Sequence, residues 1–256
     1  MKRIHIVCMA ALAAAVAFSC TKEAGNDSSA QAGRSTVIAE REGLDTRTSV
    51  QPDGKSVWWS AGDKITVFAG AGTTGSVFTS KETEASKTAK FSGEIGSAST
   101  YYAAYPAECD PSVDAGGTIT VTVPSAQQAV AGSFDSKAFP TIAQSETLSM
   151  KFYNTSGGIK FAVSEDGISS VVIRGCNDED IAGTAGFAFE GGVPVLKSVT
   201  KGEKEIVLTA PEGGFVQGTY YYASCCPSRC RRVSTSPSST RAASRTLSSC
   251  LQRPAP

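Results

Sequence analysis

Residues Thr118–Val123 read TITVTV and Gly158–Ser164 read GIKFAVS. In the first stretch Ile119, Val121 and Val123 share one face and three threonines share the other. In the second, Ile159, Phe161 and Val163 alternate with Lys160, Ala162 and Ser164. Successive side chains of a strand point to opposite faces, so this period of two marks half-buried antiparallel strands. Lys64–Phe68, Ser170–Arg174, Lys204–Thr209 and Gly218–Ala223 repeat it. Phe187-Ala-Phe189, Glu190-Gly-Gly192 and Val193-Pro-Val195 predict a hairpin about a glycine turn. A helical period extends over no more than two turns, near 126–134. With 25 Gly and 11 Pro, the chain reads as mainly β. Sandwich domains hold about 100 residues. Two tandem antiparallel β-sandwich domains are therefore expected, over 36–145 and 146–224. Their boundary is placed at Thr141–Ser149, where the strand pattern lapses after Phe139-Pro140.

Composition removes several functions. The 256 residues carry 24 basic and 24 acidic side chains. A polyanion binder shows a basic excess, so no nucleic-acid partner is expected. The single histidine is His5. A chain that loses its first residues has no histidine for a Ser-His-Asp triad, a Cys-His pair or a zinc site. Two-carboxylate chemistry stays open. The zero balance hides two unlike parts. Two basic residues lie in the first twenty and six arginines lie after Ser224, leaving 16 basic against 24 acidic groups between them.

The N-terminus reads as an address. Lys2 and Arg3 precede Ile4–Phe18, a mostly apolar run. At about 1.5 Å per residue it spans roughly 22 Å, short of the ~30 Å hydrocarbon core. Residues 1–20 are thus a lipoprotein signal peptide rather than a membrane span. Ala17-Phe-Ser-Cys20 resembles a bacterial lipobox, with Ala17 where leucine is usual. Cys20 is the expected lipidation site. Residues 21–35 lack apolar periodicity and read as a flexible tether. An acylated cysteine attaches a chain to a membrane by hydrocarbon burial alone.

Four motifs suggest chemistry and are better explained without it. Gly70-Ala-Gly-Thr-Thr-Gly75 matches GxGxxG, but residues 76–92 lack the apolar stripe of the helix that a dinucleotide site needs. Asn177–Asp180 is acidic; aligned as a calcium loop from Asp178, it places Ala182 and Phe189 where ligand oxygens belong. Ser198-Val-Thr-Lys201 matches SxxK without its companion motifs. Trp58 and Trp59 offer faces for a glycan, against a plainer reading in which one is core and its neighbour edge. Cys109 and Cys176 read as buried thiols. Tyr220 and Tyr222 share a strand face. No metal site, catalytic residue or cofactor is expected.

Several segments in order resemble a family. They are Trp59-Ser-Ala-Gly-Asp63-Lys-Ile-Thr-Val67-Phe68, Tyr101–Pro106, Val121–Pro124 with Gln127 and Gln128, and Lys151–Asn154 leading into Gly158–Phe161. Ile173-Arg-Gly175, Ile181-Ala-Gly183 and Gly218–Tyr221 continue the series. Over 37–224 the chain resembles the fimbrillin-family (Mfa-like) lipoproteins of Gram-negative Bacteroidales-type anaerobes. The resemblance implies two transthyretin-like sandwiches and an outer-membrane, surface-exposed lipoprotein. Its partners would be other fimbrillin subunits, assembled into a fimbrium or pilus. It also implies cleavage after an arginine that releases the first strand, whose groove is filled by a strand from another subunit. Arg47 is the best cleavage candidate, with Arg34 and Arg41 as alternatives.

Residues 225–256 break the pattern. They hold four Cys, six Arg, eight Ser and four Pro, and no Gly, Lys, Asp, Glu or aromatic residue. They read as an aberrant tail produced by a frameshift near Ser224, in preference to a basic disordered segment or a cysteine module. No period-two apolar run lies in them, so the second sandwich is expected to be incomplete with an open edge. The function expected is a structural, adhesive fimbrial subunit and not an enzyme. The alternative is a non-polymerising surface lipoprotein that binds host or other glycans.

Overall fold

The computed structural model describes residues 33–41, 58–175, 178–227 and 233–238. In chain order the strands are β1 (Gly33–Arg41), β2 (Lys64–Ala69), β3 (Ser76–Ser80), β4 (Thr88–Ile95), β5 (Tyr101–Tyr105) and β6 (Ser112–Val113). Next come β7 (Ile119–Val123), β8 (Ala126–Gln128), β9 (Thr141–Ser145), β10 (Ser149–Asn154), β11 (Gly157–Ala162) and β12 (Ser170–Gly175). The last are β13 (Ala182–Glu190), β14 (Val193–Glu203), β15 (Glu205–Thr209), β16 (Tyr220–Cys225) and β17 (Val233–Ser238). Among the described residues the one helical element is a 3-10 turn, Ala107–Cys109. The protein is mainly β, as its alternation requires. The helical turns expected near 126–134 are instead β8 and a turn closed by a Val130–Ser133 bridge.

Seven strands close a barrel in the order β1-β10-β9-β5-β2-β3-β4, with β4 returning to β1. Beside it lie three sheets, β14-β13-β7-β6, β17-β12-β15-β8 and β11-β16. Pairing runs across the expected boundary. Thr141–Ser145 is itself a strand, and β9 and β10 both complete the barrel. From the other side, β7 pairs with β13 and β8 with β15. β1 begins at Gly33, so the last residues assigned to the tether are strand.

Three cores result. The barrel encloses Val37, Ala39, Trp59, Ile65, Phe78, Phe91, Met150 and Phe152. A second core joins the outer barrel residues Phe68, Tyr102 and Ile142 to Ile119, Val121 and Phe187 of the β7–β13 sheet. A third gathers Ile173, Ile206, Leu208, Phe215 and Tyr221. β5 separates the first two cores and is buried on both faces. That is why YYAAY lacks polar alternation: Tyr101, Ala103 and Tyr105 enter one core, Tyr102 and Ala104 the other. A Cβ on Gly93 would lie 2.6 Å from the Phe78 ring, so that ring packs directly on β4 backbone. The expected β13–β14 hairpin turns at Gly191 and Gly192, whose φ values are 59° and 83°.

The tail corrects an expectation. β17 pairs antiparallel with β12 from Ser170↔Ser238 to Gly175↔Val233. The edge expected to be open is therefore occupied, although the segment has no apolar alternation. An edge strand needs backbone N–H and C=O groups in register; a buried face is not required.

Candidate functional site

Three titratable groups displaced from ordinary behaviour meet where β1 ends inside the barrel. Along β1, Val37, Ala39 and Arg41 point inward, and β1 is hydrogen-bonded on both sides, to β4 and β10. Arg41 is 7% exposed. Its Cζ lies 4.0 Å from the Trp59 ring centroid and 4.5 Å from that of Tyr105. A guanidinium on a desolvated ring face is attracted by the ring quadrupole. Trp59 is held edge-on by Phe91, Tyr105 and Phe152, at centroid distances of 5.0, 5.2 and 5.1 Å. The Tyr105 hydroxyl donates to Asp63 Oδ1 at 3.3 Å, and Ser60 N–H donates to Asp63 Oδ2 at 2.8 Å. Arg41 Nε and Nη1 have no hydrogen-bond partner.

Burial dominates the electrostatics here. It lowers the Arg41 pKa, which the neighbouring Tyr105 and Asp63 oppose. It raises Asp63 above the usual carboxylate range, against the Ser60 N–H and the Arg41 charge. It pushes Tyr105 up to about 12. Nearby Cys109 is a buried free thiol, also pushed up to about 12 by burial. An inert thiol follows, because the reactive species is the thiolate.

Asp63 and Tyr105 form one wall of a 240 Å³ cavity that Lys64, Glu108, Ser136 and Lys137 complete. Glu108 and Lys137 also line a 710 Å³ cleft with Asp110, Asp135, Lys201 and Glu203. The cleft mixes both signs of charge. Among the described residues no group of three His, Cys, Asp or Glu side chains is placed to hold a metal ion.

The residues singled out from sequence separate. Trp59 is 0% exposed, so its faces are closed to a glycan, a correction that follows from its place at the barrel centre. Trp58, its neighbour on the opposite face, is half-buried. Of the alternative cleavage positions, Arg34 is exposed, whereas Arg41 is buried in mid-barrel and closed to a protease. Cys20, Arg47 and Cys176 lie outside the described residues. Gly70–Gly75 is the β2–β3 turn, followed by strand rather than helix. Ser198 and Lys201 are exposed on β14, and Lys201 lines the cleft without Ser198. The acidic loop already holds a cation: Lys204 Nζ donates to Asp178 Oδ2 at 2.7 Å.

Tyr220 and Tyr222 do share a face, where Lys160 Nζ sits 3.8 Å from the Tyr220 ring and 5.8 Å from that of Tyr222. Tyr220 is 54% exposed. The Arg41–Asp63–Tyr105 cluster was not evident from the sequence. Its one signal is Arg41 standing in phase with Val37 and Ala39. Gln127 was also hidden: its side-chain amide donates to Ser224 O at 2.7 Å and accepts from Ser224 N at 3.0 Å, closing the outer edge of β16.

The fold and this site define a mainly β protein in which β1, the first of the described strands, is the closing stave of a barrel. The chain matches no protein-family model, no curated protein and no solved structure.

Proposed function

We propose that the chain is a fimbrillin-like lipoprotein, anchored in the outer membrane at the cell surface through acylated Cys20. It would be a structural and adhesive fimbrial subunit rather than an enzyme. It would assemble by β-strand donation into a fimbrium built with other fimbrillin subunits. The observation that carries the reading is β1. This strand is the first among the described residues, buries Val37, Ala39 and Arg41 in the barrel, and sits between β4 and β10. Cleavage after Arg47, downstream of β1, would free a stave whose neighbours both expose backbone donors and acceptors. An extended segment from another subunit would then regain those bonds and fill the vacated pockets. Limited cleavage of the purified lipoprotein should yield heat-labile, SDS-resistant ladders. A chain cleaved at Arg47 that stays strictly monomeric would sink the polymer.

The alternative, a non-polymerising glycan-binding lipoprotein, now draws its support from the face shared by the exposed Tyr220, the half-buried Tyr222 and Lys160 instead of the tryptophan pair. Aromatic faces suit the apolar face of a pyranose, with the half-buried Trp58 as a secondary contact. Retardation in polysaccharide gels that is lost in Tyr220→Ala would favour it.

A further inference from the structure

The β1 slot is not a uniform apolar groove. Its inward positions, in order, hold Val37, Ala39 and Arg41, the first two at 0% exposure. The third position is bounded by the Trp59 and Tyr105 ring faces, with Asp63 beyond the Tyr105 hydroxyl. A buried polar set like this is poor evidence of stabilisation, because a wholly apolar replacement can do as well. Removing one member is another matter: it leaves the others desolvated without compensation. An occupant lacking a cation would take the Arg41 charge away from the half-buried Asp63, leaving it only Lys64 and Lys137, which line the cavity on its other side. The cluster therefore acts against wrong strands more than in favour of the right one. It also fixes register. A shift by two residues brings Ala39 to the ring box, and a shift by one turns every side chain to the opposite face.

We infer that the slot between β4 and β10 selects its occupant by charge. A strand from another subunit that replaces β1 must read apolar, any, small, any, arginine, with its guanidinium between Trp59 and Tyr105. This rests on the strand-donation reading and names the chemistry of the donor. Arginine is required over lysine because a planar guanidinium stacks on two ring faces, whereas an ammonium is a strongly hydrated point charge.

The test uses the full chain with a site-specific protease sequence placed within residues 42–57 and cut after folding. A fluorescent label on the β1 fragment reports its displacement by excess synthetic peptides spanning Gly33–Arg41. The wild-type peptide should displace it. The Arg41→Met peptide should compete at least about tenfold more weakly, and Arg41→Lys should fall between. In a chain carrying Asp63→Asn the deficit of the Met peptide should shrink, because the group left without compensation is gone. A Met peptide that competes as well as wild type overturns charge selection and leaves strand replacement standing. If no peptide enters, the wild type included, strand donation itself fails and the inference falls with it. The protein body is the same in the peptide series, so misfolding cannot imitate the result.

Discussion

Among the described residues the first and last strands, β1 and β17, close sheets in different ways. β1 has neighbours on both sides, eight registered pairs with β4 and four with β10. Its alternate residues are core: Val37 and Ala39 are fully buried and Arg41 is stacked on aromatic rings. β17 has one neighbour, β12, and six registered pairs along it. An interior strand must satisfy two ladders and a side-chain pattern at once. An edge strand must satisfy one ladder only, so almost any sequence without helix-forming demands will serve. The contrast explains why a segment unlike the rest of the chain can still complete a sheet.

Four perturbations break or sharpen this contrast. The largest effect is expected from Val37→Asp, which places an unpaired carboxylate at a fully buried position of β1. A loss of about 3–5 kcal/mol is expected in urea unfolding followed by tryptophan fluorescence. A loss below about 1 kcal/mol would mean that β1 is not the closing stave.

Next comes alkali. Tyr105 and Cys109 are both held near 12, above their ordinary values of 10.0 and 9.0. The folded state thus keeps protons that the unfolded chain releases, and stability falls as pH rises from about 9 towards 12. Replacing both residues, Tyr105→Phe with Cys109→Ala, should flatten that slope by a few kcal/mol over the range. An unchanged slope would assign the alkaline loss to other groups.

Gln127→Leu tests a third way of closing an edge, by a side chain in place of a strand. It leaves Ser224 N and O without the bonds seen here. Its expected cost is about 2 kcal/mol, read as a drop in melting temperature.

The smallest effect is expected from ending the chain after Pro227, which removes β17. A loss of no more than about 1–2 kcal/mol is anticipated, because no core side chain needs to come from an edge strand. Hydrogen exchange gives the same ordering without mutation: amides of 33–41 should be protected close to the global level and those of 233–238 far less. Equal protection would show that β17 is as integral as β1.

Much of the fold was legible. The strands at 64–68, 170–174 and 204–209 fall within a residue or so of the observed β2, β12 and β15; β12 and β15 keep one less buried face, whereas β2 is buried on both and shows its period through Lys64, Thr66 and the apolar residues between them. Other strands buried on both faces were less visible. β5 carries no alternation, and β9 begins at the very Phe139-Pro140 break that looked like a boundary. The cluster at Arg41 was invisible for a related reason. Arg41, Asp63 and Tyr105 are far apart in sequence, and an arginine near the start of a chain looks like an exposed cleavage point until its burial is known.

The sequence by itself determined the class of fold, through a two-residue period, and the absence of histidine chemistry from the body of the chain. It determined that Tyr220 and Tyr222 share a face, since parity along a strand is a local property. Only tertiary structure decided which tryptophan is core, which arginine is buried and which strand closes the barrel. Those outcomes depend on partners many residues away. Burial converts Arg41 from a solvated cation into one that must be matched by ring faces and a carboxylate, and no local pattern encodes that environment.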